Sequence, residues 1–346
     1  MSSVQPSCPF IVGAAIADSR FFVGRHEELQ QITTQMTGTL PGSLNVVGRR
    51  RIGKSWLLYH FCQTYQEYVS QPDRFISIYL SLQNPDCHGD EGFYHKVGRL
   101  LWNHPQVQRQ PGLMEALRVP QFNRLAFSSA MGHWKRQGVL AVLCLDDFEV
   151  LIRHYRDFDD GFFDNLRSLV DSGALMVVVA SPRKLEFYQH RYRLTSPFFN
   201  LSQVLALGEL QEEEAWELVR LSDSQGKEGQ AVLSPPDQKL AKQLGGTHPF
   251  LLQLAGSLLW EARQQGRDIN WVKGRFEVEA RRTPGYSFEL HQLPPPLQVL
   301  VRFPLKLGRM VRGIRGTVDE IGNLMVGTVI LIGVILVVCL LFSFLF

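Results

Sequence analysis

The run Gly48-Arg49-Arg50-Arg51-Ile52-Gly53-Lys54-Ser55 constrains what this chain can fold into more than any other feature. It follows a short apolar stretch, residues 44–47, and precedes a segment with helical spacing of Leu57, Leu58, Phe61 and Tyr65. A G-x-x-x-x-G-K-[ST] pattern at a strand-to-helix junction is a phosphate-binding loop. Its glycines let the backbone curl so that successive N–H groups converge on one phosphate, and the helix N-terminus adds its positive dipole end. Lys54 then reaches the β- and γ-phosphates, and the Ser55 hydroxyl becomes a ligand to Mg²⁺.

Such a loop needs a parallel sheet, and the chain supplies the strands. Residues 139–145 (VLAVLCL) and 174–180 (ALMVVVA) are apolar without alternation, as in strands covered on both faces. Residues 204–207 predict a third buried strand, and residues 75–82 alternate at Ile76, Ile78 and Leu80. Helices are expected over 54–68, 93–102, 121–136 and 162–170, with a proline-bearing loop between the second and third. Strands separated by helices imply right-handed crossovers and an α/β fold, a parallel sheet flanked by helices. After Glu209 the pattern is helical only, over 211–221, 236–244, 249–264 and 269–281. The expected organisation is an N-terminal extension (1–17), the α/β domain (18–208), an all-α subdomain (209–285), a proline-containing linker with a basic segment (286–322) and a membrane helix (323–346).

The strand over 139–145 runs into Asp146-Asp147-Phe148-Glu149. A phosphate-binding loop needs an acidic residue on a neighbouring strand. Asp146 fits the partner of the magnesium-bound water, and Asp147 would polarise the attacking water. The competing reading is a solvated acidic turn. The strand over 174–180 ends in Ser181-Pro182-Arg183. There Ser181 could sense the γ-phosphate or the lytic water, and Arg183 could stabilise charge on the transferring phosphoryl group. The cofactors expected are ATP or ADP with Mg²⁺.

Residues 324–346, LMVGTVILIGVILVVCLLFSFLF, carry no charge and no proline. A helix needs roughly 20 such residues to span the hydrocarbon core. Arg302, Lys306, Arg309, Arg312 and Arg315 precede the span, so the positive-inside rule keeps the main domain in the cytosol, on a single-pass C-terminal anchor. The basic stretch is either a helix lying on anionic headgroups or a flexible linker. The first twenty residues lack the basic region and long apolar core of a secretory signal. A net charge of +3 on 346 residues gives no electrostatic argument for a nucleic-acid partner, and no helix-turn-helix pattern follows the helical region. The five cysteines show no paired spacing, which argues against a zinc or disulfide framework, and Cys87-His88 with His95 reads as incidental.

Together these pieces resemble the STAND and archaeal-ATPase branch of the AAA-like P-loop NTPases, over residues 18–285. Phe22-Val23-Gly24-Arg25 with Glu27, Glu28 and Leu29 is similar to the family's VGR-E-L segment, which implies a place near the adenine. The loop is similar to the family's GxRRxGKS/T, which implies nucleotide contacts from Gly48, Arg51, Gly53, Lys54, Ser55 and the adjoining Trp56. LCLDDFE is similar to its Walker B strand, and Ser181 with Arg183 to its sensor residue and arginine. Residues 245–252 are similar to the GxP segment of the family's helical lid, which implies Pro249 against the base and His248 nearby. The segment 195–200 also recurs in this branch, and Arg191 and Arg193 are candidate arginine fingers for a neighbouring subunit. Two departures stand out: aspartate at 147 replaces the usual glutamate, and two residues rather than one separate Gly246 from Pro249. The resemblance implies a regulatory ATPase switch that self-associates when ATP replaces ADP. The alternative is a membrane-tethered scaffold that binds nucleotide with little turnover and recruits a protein partner.

Overall fold

Strands β1 (Leu44–Val47), β2 (Phe75–Ser81), β3 (Leu140–Asp146), β4 (Leu175–Ser181) and β5 (Gln203–Ala206) form one sheet in the order β2-β3-β4-β1-β5. The computed structural model describes residues 8–13, 21–154, 156–200, 203–222 and 231–283. Every strand pairing is parallel, so each connection must cross over the sheet. β3 and β4 are buried at every position. Their alternate residues divide between two cores. Ala141, Leu143 and Leu145 join one hydrophobic cluster, and Leu140, Val142 and Cys144 join the other. That division is the period-2 geometry of a strand covered on both faces. The expectation of a third buried strand is corrected. β5 pairs with β1 alone and exposes three of its four residues, because an edge strand is covered on one side only.

α1 (His26–Thr37) precedes the first strand, and the crossovers hold α2 (Lys54–Thr64), α3 (Gly89–Trp102), α4 (Pro105–Arg109), α5 (Pro111–Glu115), α6 (Arg124–Arg136), α7 (Glu149–Arg153), α8 (Asp160–Asp171) and α9 (Leu185–Tyr192). The helix expected over 54–68 stops at Thr64 and tightens into a 3₁₀ turn over Tyr65–Tyr68. The expected loop before α6 contains α4 and α5, each opened by a proline in its first turn, where the missing N–H costs no bond. The 195–200 segment gains a structural role. Phe198 and Phe199 are buried against Phe163, while Thr195 and Ser196 donate hydroxyl hydrogen bonds to Asp160 and Asp164 of α8.

Beyond β5, α10 (Glu212–Val219), α11 (Pro235–Gly245) and α12 (Pro249–Gln265) pack on one another. Gln211 and Glu214 close a reciprocal capping box at the start of α10. The chain divides into two compact units on either side of the Gly266–Arg267 junction. In the second unit the described element is α13 (Ile269–Ala280), whose first turn is capped by Asp268 accepting the Trp271 N–H at 2.9 Å. The helical region read from sequence as one subdomain therefore contributes to both units. The linker, the basic segment and the membrane span expected over 286–346 lie outside the described residues. Among the described residues no helix is long and apolar enough to cross a membrane.

Candidate nucleotide site

The phosphate-binding loop leaves the end of β1 under tight steric control. A Cβ on Gly48 would lie 2.8 Å from both Ile52 Cγ2 and the Leu207 carbonyl, so only glycine fits between loop and edge strand. Gly53 (φ 99°) sits in the left-handed region, and so does Arg51 (φ 66°), a conformation that strains a residue with a side chain. The Gly48 N–H donates to Ser181 O at 3.4 Å, and the Leu207 N–H donates to Val47 O at 2.7 Å, fixing the loop's base to both flanking strands. Lys54 opens α2, and its Nζ donates to the carbonyls of Gly48 and Arg49 at 2.9 and 3.0 Å. Burial holds its pKa below the usual lysine value, against the pull of Asp146, Glu149 and Asp147.

The acidic strand end faces this lysine. Asp146 is 3% exposed; its Oδ2 accepts the Tyr79 hydroxyl at 2.9 Å and its Oδ1 accepts the Asp147 N–H at 3.0 Å. Burial and the Asp146 charge push the Tyr79 hydroxyl pKa well upward, so Tyr79 stays a donor. Asp147 adopts a left-handed backbone (φ 55°). Burial, then the adjacent Asp146 charge, raises its carboxyl above the ordinary aspartate value. Glu149 is also buried, with Oε2 lacking a hydrogen-bond partner, and burial raises its carboxyl as well.

A cleft of about 360 Å³ joins these groups. Of the residues named from sequence, Val23, Arg25, Arg51, Gly53, Lys54, Ser55, Trp56, Asp146, Asp147 and Pro249 line it. Gly24 stands behind it: a Cβ there would lie 2.7 Å from Glu214 Cδ, so this glycine lets α10 approach. Arg25 lines the cleft, but its guanidinium is committed to backbone. It donates to the carbonyls of Ile52 (3.2 Å), Gly208 (2.6 Å) and Glu209 (3.3 Å) and pairs with Glu28 at 3.0 Å. Its N–H donates to Glu214 Oε1 at 2.6 Å. Arg25 thus clamps the loop to the segment entering α10.

Ser181 and Arg183 do not reach the cleft. The Ser181 hydroxyl is fully buried, donates to Arg183 O at 2.6 Å and accepts Asn45 Nδ2 at 2.8 Å. The Arg183 guanidinium lies over the Phe187 ring, 4.4 Å from its centroid. His248 does not line the cleft either; burial lowers its pKa and leaves both ring nitrogens without hydrogen-bond partners. Phe22, expected with Val23 near the adenine, lines the cleft too; sequence reasoning missed Phe21 and Gln83 and assigned no contact to Arg50 or Phe250, which also line it. Phe250 follows Pro249 directly and carries Arg51 over its ring at 4.3 Å. Its aromatic side chain beside a glycine-rich turn was the available signal. Gln83 had none, since a glutamine two residues past a strand is ordinary.

A parallel sheet with a phosphate-binding loop on one strand and a carboxylate pair closing another defines a P-loop NTPase. The chain belongs to the family described as novel STAND NTPase 2, which matches residues 41–287. No curated protein matches the chain in sequence. Among solved structures, a Walker-type ATPase of Pyrococcus abyssi is 15% identical, with a TM-score of 0.52, over 88% of this chain and 89% of that one. The ORC2 protein of Aeropyrum pernix, described in its ADPNP–ADP complexes, is 13% identical, with a TM-score of 0.53, over 89% and 79% respectively. Both are similar in fold.

Proposed function

We propose that this chain is a Mg-ATP-binding regulatory switch anchored to a membrane, with slow hydrolysis resetting it. The observation that carries the reading is the convergence of Lys54, Ser55, Asp146 and Asp147 on one cleft. The loop N–H groups and Lys54 Nζ receive the phosphates, with Lys54 exchanging its carbonyl partners for phosphate oxygens. Ser55 and Asp146 offer hard oxygen donors, and the two groups bound to the Asp146 carboxylate hold it in place, a donor set that suits Mg²⁺. When bound, the ion neutralises phosphate charge. Asp147 orients and deprotonates the attacking water, and its raised pKa brings it nearer the range of an effective general base. α10–α12 act as the lid, with Pro249 and Phe250 on the base side of the cleft.

The membrane part of this reading rests on the uncharged run 324–346 and the five basic residues before it. ATP-driven self-association would gather these segments. A nucleotide-binding scaffold with little turnover is the second reading, favoured by Asp147, whose carboxylate is one methylene short of the usual glutamate. The test is the solution mass of protein truncated after residue 293, by light scattering, in Mg-ADP and then in a non-hydrolysable Mg-ATP analogue. A defined oligomer with the analogue alone supports the switch. Unchanged mass with binding confirmed removes self-association by the folded region and leaves the scaffold.

A further inference from the structure

The family match begins at residue 41, yet a segment far upstream is built into the first unit. Phe10 is 4% exposed, and its ring fills a notch on α12 at Gly256, where a Cβ would lie 2.5 Å from Phe10 Cδ1 and Cε1. One helical turn earlier, Gln253 Oε1 accepts the Ile11 N–H at 2.9 Å. The Cys8 thiol donates to the Phe10 carbonyl at 3.6 Å, closing the segment on itself. Beyond this anchor, Ile11 and Gly13 line the same cleft as Lys54 and Asp146.

The cleft's lining combines two chemistries. Arg50, Lys54, Ser55, Asp146 and Asp147 supply charge and hydroxyl, whereas Ile11, Phe21, Phe22, Leu210 and Leu218 supply apolar surface. A nucleotide has the same division: charged phosphates at one end, and a flat heterocycle that gains from apolar walls at the other. We propose that residues 8–13 are a strap forming the base-side wall of the cleft, with Ile11 as an apolar contact for a purine, so that strap docking and nucleotide occupancy reinforce each other. This rests on the nucleotide-binding reading above. Reciprocity follows from linkage: if the docked strap tightens nucleotide binding, bound nucleotide stabilises docking by the same factor.

The test uses the full-length protein with two probes, Mg-ATP and inorganic tripolyphosphate, the second carrying phosphates without a base. Phe10→Ala empties the notch, and Ile11→Ser removes the proposed contact while leaving α12 untouched. Losing one apolar contact of this kind should weaken ATP binding roughly tenfold and leave tripolyphosphate binding within about twofold. Cys8 reports docking directly, because it is half-buried while Cys62, Cys87 and Cys144 are buried. Mass spectrometry of the Cys8 peptide should show slower alkylation with Mg-ATP than with tripolyphosphate, and Phe10→Ala should abolish that protection. Unchanged ATP affinity in both variants would overturn the strap, as would equal weakening of both probes. Wild-type protein that binds tripolyphosphate but gains nothing from the base would overturn it too. Wild-type protein that binds neither probe would remove the nucleotide reading itself, a separate and recognisable failure.

Discussion

β3 and β4 are adjacent parallel strands with the same burial, and their last residues behave in opposite ways. β3 ends in Asp146, Asp147 follows it directly, and both carboxylates line the cleft. β4 ends in a serine whose hydroxyl turns back onto Arg183 O and Asn45, and two residues further on Arg183 lies over Phe187. A hydroxyl both donates and accepts, so neighbouring protein groups can satisfy it fully, here Arg183 O in its own turn and Asn45 of β1. Adjacent carboxylates only accept and repel each other, so they stay directed at whatever cation the cleft admits. Strand position brings a side chain to the site; its hydrogen-bonding valence decides whether it remains there.

Substitutions can break that comparison. Asp147→Asn should cut ATP turnover by about 10²–10⁴-fold with nucleotide binding retained, read by phosphate release, if Asp147 is the general base. The same change should raise Tm at pH 7. Burial and Asp146 lift the folded Asp147 pKa above the ordinary aspartate value of 3.8. The folded state therefore holds that proton more tightly than the unfolded chain, and stability falls as pH rises from about 3.8 through the folded value. The gain from Asn should accordingly vanish at more acidic pH, which thermal melts across pH would show. Lys54→Ala should weaken ATP binding roughly a hundredfold by titration, since charge-assisted phosphate bonds are among the strongest polar contacts.

Arg25→Ala tests the clamp that holds the loop. Losing a buried cation with four side-chain hydrogen bonds should cost about 3 kcal/mol in denaturant unfolding and weaken nucleotide binding as well. At the β4 end, Ser181→Ala should cost only about 1–2 kcal/mol of stability by unpairing Asn45, with ATP turnover nearly unchanged. The smallest effect is expected of Arg183→Ala, under about 1 kcal/mol for an arginine–aromatic contact. A turnover loss for Ser181→Ala as large as that for Asp147→Asn would show that β4's end rotates into the cleft during the cycle, and the contrast between the two strands would fail.

The loop, both buried strands and the acidic pair were legible because each is a local pattern: Gly48–Ser55 is contiguous, and β3 and β4 are unbroken apolar runs. The inward turn of Ser181 was not, since it depends on Asn45 from a neighbouring strand. Arg25 was assigned near the nucleotide by resemblance, but its role as a clamp depends on carbonyls remote in sequence. The docking of Phe10 was hidden for a similar reason. Its partner is the missing side chain of Gly256, which leaves no hydropathy signal.

The Arg25 clamp has a consequence for synthesis. Its bonds join residues 183 and 189 positions apart, to Gly208 and Glu214. A nascent chain therefore exposes its complete phosphate-binding loop long before the clamp's partners at Gly208, Glu209 and Glu214 exist. Contacts of such sequence separation form late in folding, after many shorter-range ones. Ribosome-bound intermediates should thus carry the motif without a finished site, and the onset of tight nucleotide capture would mark emergence of α10 from the exit tunnel.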